Sequence, residues 1–300
     1  YLDRSSGQHV LHGQPRRMAC WIRFVINMDE LTPNVLDWLN KSGFPTEYRV
    51  AQTLINNSFI TRQGDIYEDL ESGSKREIDI VGTRLFNASE NSLLSLTLVV
   101  ECKSSADKPW VLFQSPKSDS DFSDVFHNIF WQQTSGSDSA IRFLNDVKEK
   151  ILKVEGRNSS KIYSEVPHAF SVVQGLRKPK TPDASYAAST GVTKAAVSQR
   201  LRANGYSEYE SPHVEFIWPL IVLDAPLFVA TPDDSGEFEL TRCDNAVLEW
   251  QSTVGEVDRI DIRIVTPEGL PEFLYWAIGA LNTVVEHAGS ELDSMFNEWK

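Results

Sequence analysis

Two short stretches decide how this chain is read: Glu77-Ile78-Asp79-Ile80-Val81 and Leu98-Val99-Val100-Glu101-Cys102-Lys103. In a β-strand, successive side chains point to opposite faces. Asp79 therefore shares a face with Glu77 and Val81, away from Ile78 and Ile80. Glu101 and Lys103 share one face, and Val100 and Cys102 the other. If the two strands pair side by side, Asp79, Glu101 and Lys103 meet at one spot. Two carboxylates there supply hard oxygen ligands for a divalent metal, with a cation beside them.

Around this pair the sequence alternates helix and strand signals. Residues 33–40 read as a short helix that Gly43 ends, and Pro45 opens a second helix through about Asn57, since proline is favoured in the first helical turn. Glu47, Ala51, Leu54 and Ser58 fall on one side of that helix. Glu47 therefore faces inward, or it is an acid at a helix N-terminus favoured by the macrodipole. Residues 59–69 and 76–83 read as a hairpin around Glu71-Ser72-Gly73-Ser74, and 95–103 as the next strand. The Ser- and Asp-rich stretch 104–139 reads as loop with some helix around Phe122–Trp131, followed by a helix over 139–154. Residues 165–178 read as a helix, with Phe170-Ser171-Val172-Val173 equally open as a strand. Two strands flank Asp224-Ala225-Pro226, further strands cover 236–250 and 257–265, and a last helix runs from Pro271 to Glu286. In Asp258-Arg259-Ile260-Asp261-Ile262-Arg263-Ile264, charge alternates with Ile, which places Arg259, Asp261 and Arg263 on a solvent-facing side.

The run Ile78-Asp79-Ile80-Val81 followed by Glu101-Cys102-Lys103 resembles the D…ExK signature of the PD-(D/E)XK nuclease superfamily, the restriction-endonuclease-like fold, and most nearly its Mrr-like enzymes. Ile78 stands where a proline commonly precedes the acid. The resemblance covers residues 36–230 and implies an α/β fold: an α-β-β-β-α-β mixed sheet flanked by helices. Its core would span about 36–103 and 165–230, with an insertion over 104–164 and a C-terminal β/α extension over 231–300. Residues 28–300 would form a single domain, and residues 1–27 a disordered leader or artefact.

The resemblance also implies a metal-dependent endonuclease acting on DNA, in defence or DNA maintenance. Asp79 and Glu101 would hold Mg²⁺ or Mn²⁺, with the Cys102 carbonyl as a further ligand and Glu77 as runner-up. Lys103 would orient the attacking water or stabilise the transition state, and Glu47 would complete the site. Gln174 would reach the substrate phosphate, with an ordinary solvated face as the bland alternative. A homodimer or a defence-system partner protein is compatible with the resemblance.

A rival motif lies at 187–201, Ala-Ala-Ser-Thr-Gly-Val-Thr-Lys-Ala-Ala-Val-Ser-Gln-Arg-Leu, which resembles a helix-turn-helix. Gly191 would sit at its turn, Val197 and Leu201 in its core, and Ser198, Gln199 and Arg200 toward DNA. Its bland counterpart is a Gly-interrupted helical connection before the strand near residue 214. This motif supports a second functional class, a non-catalytic module that binds DNA or protein.

Composition sets the outer bounds. The 300 residues are 41% hydrophobic and 24% charged, enough for a sizeable core. Three cysteines cannot all pair, which points to a reducing, cytoplasmic setting. No apolar run is long enough to span a membrane. The net charge of -13 argues against a sequence-blind DNA binder, whose affinity comes from Lys and Arg on phosphates. It does not argue against clustered metal-binding carboxylates. RNA is the weaker substrate expectation, because no stacked-aromatic pattern accompanies the motif.

Overall fold

The chain was described from a computed structural model. It describes residues 28–87, 93–105, 107–114, 131–134, 166–205, 213–233, 235–252, 254 and 259–297. Contacts divide the chain into two units, Tyr1–Trp38 and Leu39–Lys300. The first helix, α1 (Met28–Lys41), begins five residues before the expected Pro33 and crosses that boundary. In the first unit its apolar Leu31, Val35 and Trp38 are exposed. The leader expected over 1–27 lies outside the described residues.

The second unit is a mixed α/β fold. Helix α2 (Phe44–Asn56) has proline in its first turn, as the sequence predicts. It leads into β1 (Ile60–Glu68), β2 (Lys75–Asn87) and β3 (Leu93–Ser104). These three pair antiparallel in the order β1-β2-β3. Strand β3 is buried on both faces from Leu94 to Val100, which accounts for its unbroken apolar run. Its other edge pairs in parallel with β7 (His213–Asp224) over the whole strand, Leu93 to Ser104. A parallel pair needs a crossover, and α3 (Ala184–Gly205) is the helix that precedes β7.

Between β3 and α3 lie β4 (Trp110–Gln114), β5 (Trp131–Thr134) and β6 (His168–Gln174). After β7 come β8 (Leu227–Pro232), β9 (Phe238–Arg242), β10 (Asn245–Gln251), β11 (Arg259–Val265) and α4 (Leu270–Asn297). The eleven strands among the described residues join one sheet, ordered β1-β2-β3-β7-β11-β10-β6-β4-β8-β9, with β5 paired to β7. The parallel register Ser104↔Asp224 resumes as Trp110↔Leu227, so β3/β4 and β7/β8 continue side by side across a bend at 105–109 and 225–226.

Helices cover both faces. Val50, Ala51 and Leu54 of α2 and Phe273, Leu274 and Ala277 of α4 pack with Leu96, Leu98, Val100 and Trp218. Edge-to-face contacts of Trp218 with Phe273 (5.3 Å) and Trp276 (5.5 Å) contribute about 1 kcal/mol each beyond burial. On the other face, Ala188, Val192, Ala195 and Ala196 of α3 pack on Val81, Val99, Ile217 and Ile221.

Four expectations are corrected here. Residues 168–174 are a strand, the second of the two readings open for Phe170–Val173, so the helical reading of 165–178 gives way and the crossover helix is α3. That helix runs unbroken for 22 residues, so the 187–201 segment has no turn at Gly191. Val197 (4% exposed) is buried as the helix-turn-helix reading expects, but so is Ser198 (5%), and Leu201 points outward (48%), against that reading. Asp261 and Arg263 are buried, not solvent-facing, because β11 sits inside the sheet between β7 and β10 and α4 covers that face. The Arg263 guanidinium lies 5.4 Å from the ring centres of both Phe273 and Trp276, a cation–π pairing that takes the place of water. The 231–300 extension is likewise no appendage, since β10 and β11 lie mid-sheet. The helix expected over 139–154 lies outside the described residues; of Phe122–Trp131 only Trp131 is described, and it opens β5.

Candidate functional site

The site grows out of a break in the β2–β3 ladder. Pairing of β2 with β3 ends at Ile80↔Val100. The next inward-pointing amide, Cys102 N–H, finds no backbone partner on β2. It donates instead to Asp79 Oδ2 at 2.6 Å. One side chain thus replaces a ladder bond, and it holds the Asp79 carboxylate in the opening. Ile80 packs with the α2 and α4 side while Ile78 packs with the α3 side. Two residues of equal parity on opposite faces mean that β2 twists sharply at Asp79. Across from Asp79, Gly64 adopts φ +62, a conformation that favours glycine. The Glu77 carboxylate lies over Gly64: its Oε1 is 2.9 Å from where a Cβ would stand.

On β3, Lys103 Nζ donates to Glu101 Oε1 in a close ion pair. Their side chains are 32% and 15% exposed. Glu47, in the first turn of α2, folds toward Gly43, its Oε1 3.2 Å from the Cβ position of that glycine. Burial raises the Glu47 pKa above its ordinary value, and the Asp79 carboxylate adds to the rise while Lys103 opposes it. Glu101 is raised too, by burial against the pull of Lys103, with Asp79 and Glu47 adding. Burial works against the Lys103 ammonium, but Glu101 and Asp79 outweigh it and hold its pKa above the ordinary value. The Cys102 thiol is driven up by burial and by the same carboxylates.

The structure thus brings together five of the residues singled out from sequence: Asp79, Glu101, Cys102, Lys103 and Glu47, with Glu77 beside them. It places two others elsewhere. Gln174 ends β6 and is 8% exposed, opposite Trp110 in register, with its backbone bonded to Asp183 and Arg177. Arg200 is half-buried near the C-terminal end of α3.

Sequence reasoning missed the anchor of α2. Asp224 Oδ2, at the end of β7, accepts from Thr46 Oγ1 and from Arg49 Nη2, both at 2.7 Å. Thr46 and Asp224 are 178 residues apart. The only local signal at Asp224 is the turn motif Asp-Ala-Pro, which says nothing about a distant partner.

Among the described residues, no group of three or more His, Cys, Asp or Glu side chains converges at metal-binding spacing. Mg²⁺, however, takes only one or two carboxylates from a protein and keeps several waters. Asp79 and Glu101 provide two, each with one oxygen engaged in the bonds described. The Cys102 carbonyl lies on the same strand edge as its N–H, toward the opening. These hard oxygens fit such an ion.

No family model, no curated protein and no solved structure matches this chain. Among the described residues, no helix is long and apolar enough to cross a membrane.

Proposed function

We propose that this protein is a metal-dependent endonuclease of restriction-endonuclease-like fold that hydrolyses DNA. The observation that carries this reading is the clustering of Asp79, Glu101 and Lys103 where β2 parts from β3, with Glu47 of the preceding helix beside them. With β4, β5 and β6 set aside as an insertion between β3 and α3, the order α2-β1-β2-β3-α3-β7, with β7 parallel to β3, supports it as well. Fold order alone would not suffice, because one fold hosts many functions.

Asp79 and Glu101 would hold Mg²⁺ or Mn²⁺, which when bound lowers the pKa of a water and offsets charge on the phosphate. The Cys102 N–H fixes the Asp79 carboxylate in place. Lys103 stays charged, because its carboxylate neighbours hold its pKa up. Its part is therefore electrostatic: it orients the incoming water or meets the negative charge that develops on phosphorus-bound oxygen. Water adds to phosphorus, the P–O bond to the leaving strand breaks, and that oxygen departs with a proton. Glu47 completes the acidic ring.

A non-catalytic binding module is the second reading. The unbroken α3, with Ser198 turned inward, weakens it. The imbalance of charge weakens it further: among the described residues, Glu47, Glu77, Asp79 and Glu101 gather around the Lys103 ammonium. A same-face salt bridge would be complete with Glu101 and Lys103 alone. Carboxylates gathered beyond that cost energy at neutral pH, and such costs are characteristic of functional sites.

The test is incubation of the full chain with plasmid and linear DNA in Mg²⁺, Mn²⁺ or EDTA, beside an Asp79→Ala control. Cutting that needs metal and is lost in the control is the expected outcome. Folded protein that cuts in no metal would reject the reading and favour the binding module.

A further inference from the structure

We infer that Asp224 is a positioning residue: through one carboxylate oxygen shared by Thr46 and Arg49, it holds the first turn of α2, and with it Glu47, against the Asp79–Glu101–Lys103 cluster. The helix start needs such a tether. Its N-cap is Gly43, which supplies no side-chain hydrogen bond to the first turn. Thr46, 2% exposed, donates to Asp224 Oδ2, Arg49 donates to the same oxygen, and Arg49 also donates to Thr46 Oγ1 at 3.1 Å. The three bonds close a triangle, two of them on Asp224 Oδ2 and the third on Thr46 Oγ1.

The acceptor is well placed. Asp224 ends β7 directly opposite Ser104, so it stands one register step from the Lys103↔Leu223 pair. The β7 end is fixed in turn by Ser105 N–H, which donates to the Asp224 carbonyl at 3.1 Å. The same residue therefore ties the catalytic end of β3 through its backbone and α2 through its side chain. Glu47 follows Thr46 in sequence, and no contact of its own carboxylate is needed to hold it there. A carboxylate that orients another ligand-bearing element without touching the ion is the usual task of an outer partner. Because the cluster is taken as the reaction centre, this role rests on the nuclease reading.

The experiment compares wild type with Asp224→Ala, Asp224→Asn and Thr46→Val in the full chain. Three readouts are taken: Mn²⁺ binding by electron paramagnetic resonance, kcat and KM for DNA cleavage, and amide hydrogen exchange of residues 44–49. Asp224→Ala is expected to weaken Mn²⁺ binding and lower kcat by about tenfold or more, with KM for DNA within about twofold. Exchange over 44–49 should accelerate while α3 is unchanged. Asp224→Asn keeps an oxygen acceptor for Thr46 and Arg49 and should recover most of the loss. Thr46→Val, a near-isosteric change that leaves Asp224 in place, should give an intermediate effect and covers the case in which Asp224→Ala does not fold. Wild-type exchange over 44–49, or wild-type kcat and Mn²⁺ affinity, in folded Asp224→Ala would overturn the role. If wild type itself neither binds Mn²⁺ nor cuts, the nuclease reading fails and so does a positioning role at its centre; accelerated exchange would then leave Asp224 only a structural anchor of α2.

Discussion

Replacing Asp261 with Asn should stabilise the protein at neutral pH by an amount that vanishes in acid. Asp261 is 3% exposed on an interior strand, and its Oδ1 has no hydrogen-bond partner. Arg259 Nε lies 3.8 Å from it, while Glu249, directly opposite on β10, repels it. Arg263 is a further cationic neighbour. Burial dominates and pushes the Asp261 pKa from 3.8 up to about 6. The native state thus favours the protonated acid. Below about pH 4 both folded and unfolded chains hold the proton, and the charge costs nothing. As pH rises toward 6, the unfolded chain releases its proton first, so stability falls and then levels off. The gap between 3.8 and about 6 corresponds to about 3 kcal/mol lost by neutral pH. Asn has the shape of the neutral acid and never ionises. Urea unfolding of wild type and Asp261→Asn, from pH 3.5 to 8 at fixed ionic strength, isolates this one group, since the other titrations largely cancel in the difference. The variant should match wild type near pH 3.5 and exceed it by about 3 kcal/mol at pH 7.5. A difference flat with pH, or a variant less stable at pH 7.5, would refute the account.

Lys103→Ala should lower the cleavage rate by at least about 100-fold, with circular dichroism unchanged; retained cutting would remove Lys103 from the site. Lys194→Met should cost about 3 kcal/mol in urea unfolding, because the Asp69 carboxylate, fully buried and held at a pKa of about 2, would keep only Arg76 as a cationic partner. Gly64→Ala should cost about 1–2 kcal/mol, and adding Glu77→Ala should recover little of it. The close contact is to the far end of a flexible side chain that can swing away, whereas the φ of +62 cannot be relieved.

What the sequence made legible was local. Glu77–Val81 and the apolar run before Glu101 mark two strands, and both are there, but the alternation in the first breaks at Asp79, since Ile78 and Ile80 pack on opposite faces. Pro45 marked the start of α2, and Asp224-Ala225-Pro226 marked the β7–β8 bend. Alternation failed where burial was decided by distant elements. Arg259-Ile260-Asp261-Ile262-Arg263 has the period of a half-buried strand, yet β7, β10 and α4 enclose it, and two of its three charges are buried. The 187–201 segment failed for a related reason. Its Ala, Ser and Thr residues let a helix lie close on the sheet, so Gly191 is carried within the helix, on a side where an added Cβ would meet nothing within 4 Å. A glycine there costs helix propensity only, about 1 kcal/mol, which tertiary packing offsets.

The same contrast separates the parts of the candidate site. Glu101 and Lys103 are two residues apart, and strand geometry alone places them together. Asp79 needs one further fact, that its strand pairs next door. Even so, pairing would predict a ladder partner for Cys102 N–H, and the chain supplies the Asp79 carboxylate instead, because β2 twists away at Asp79, opposite Gly64 of β1. The Thr46–Asp224–Arg49 triangle requires the entire crossover, from α2 through β3 and α3 to the last residue of β7, before it can form. In the folded chain, the packing of α2 and β3 in one core is what offsets the repulsion among Glu47, Glu77, Asp79 and Glu101.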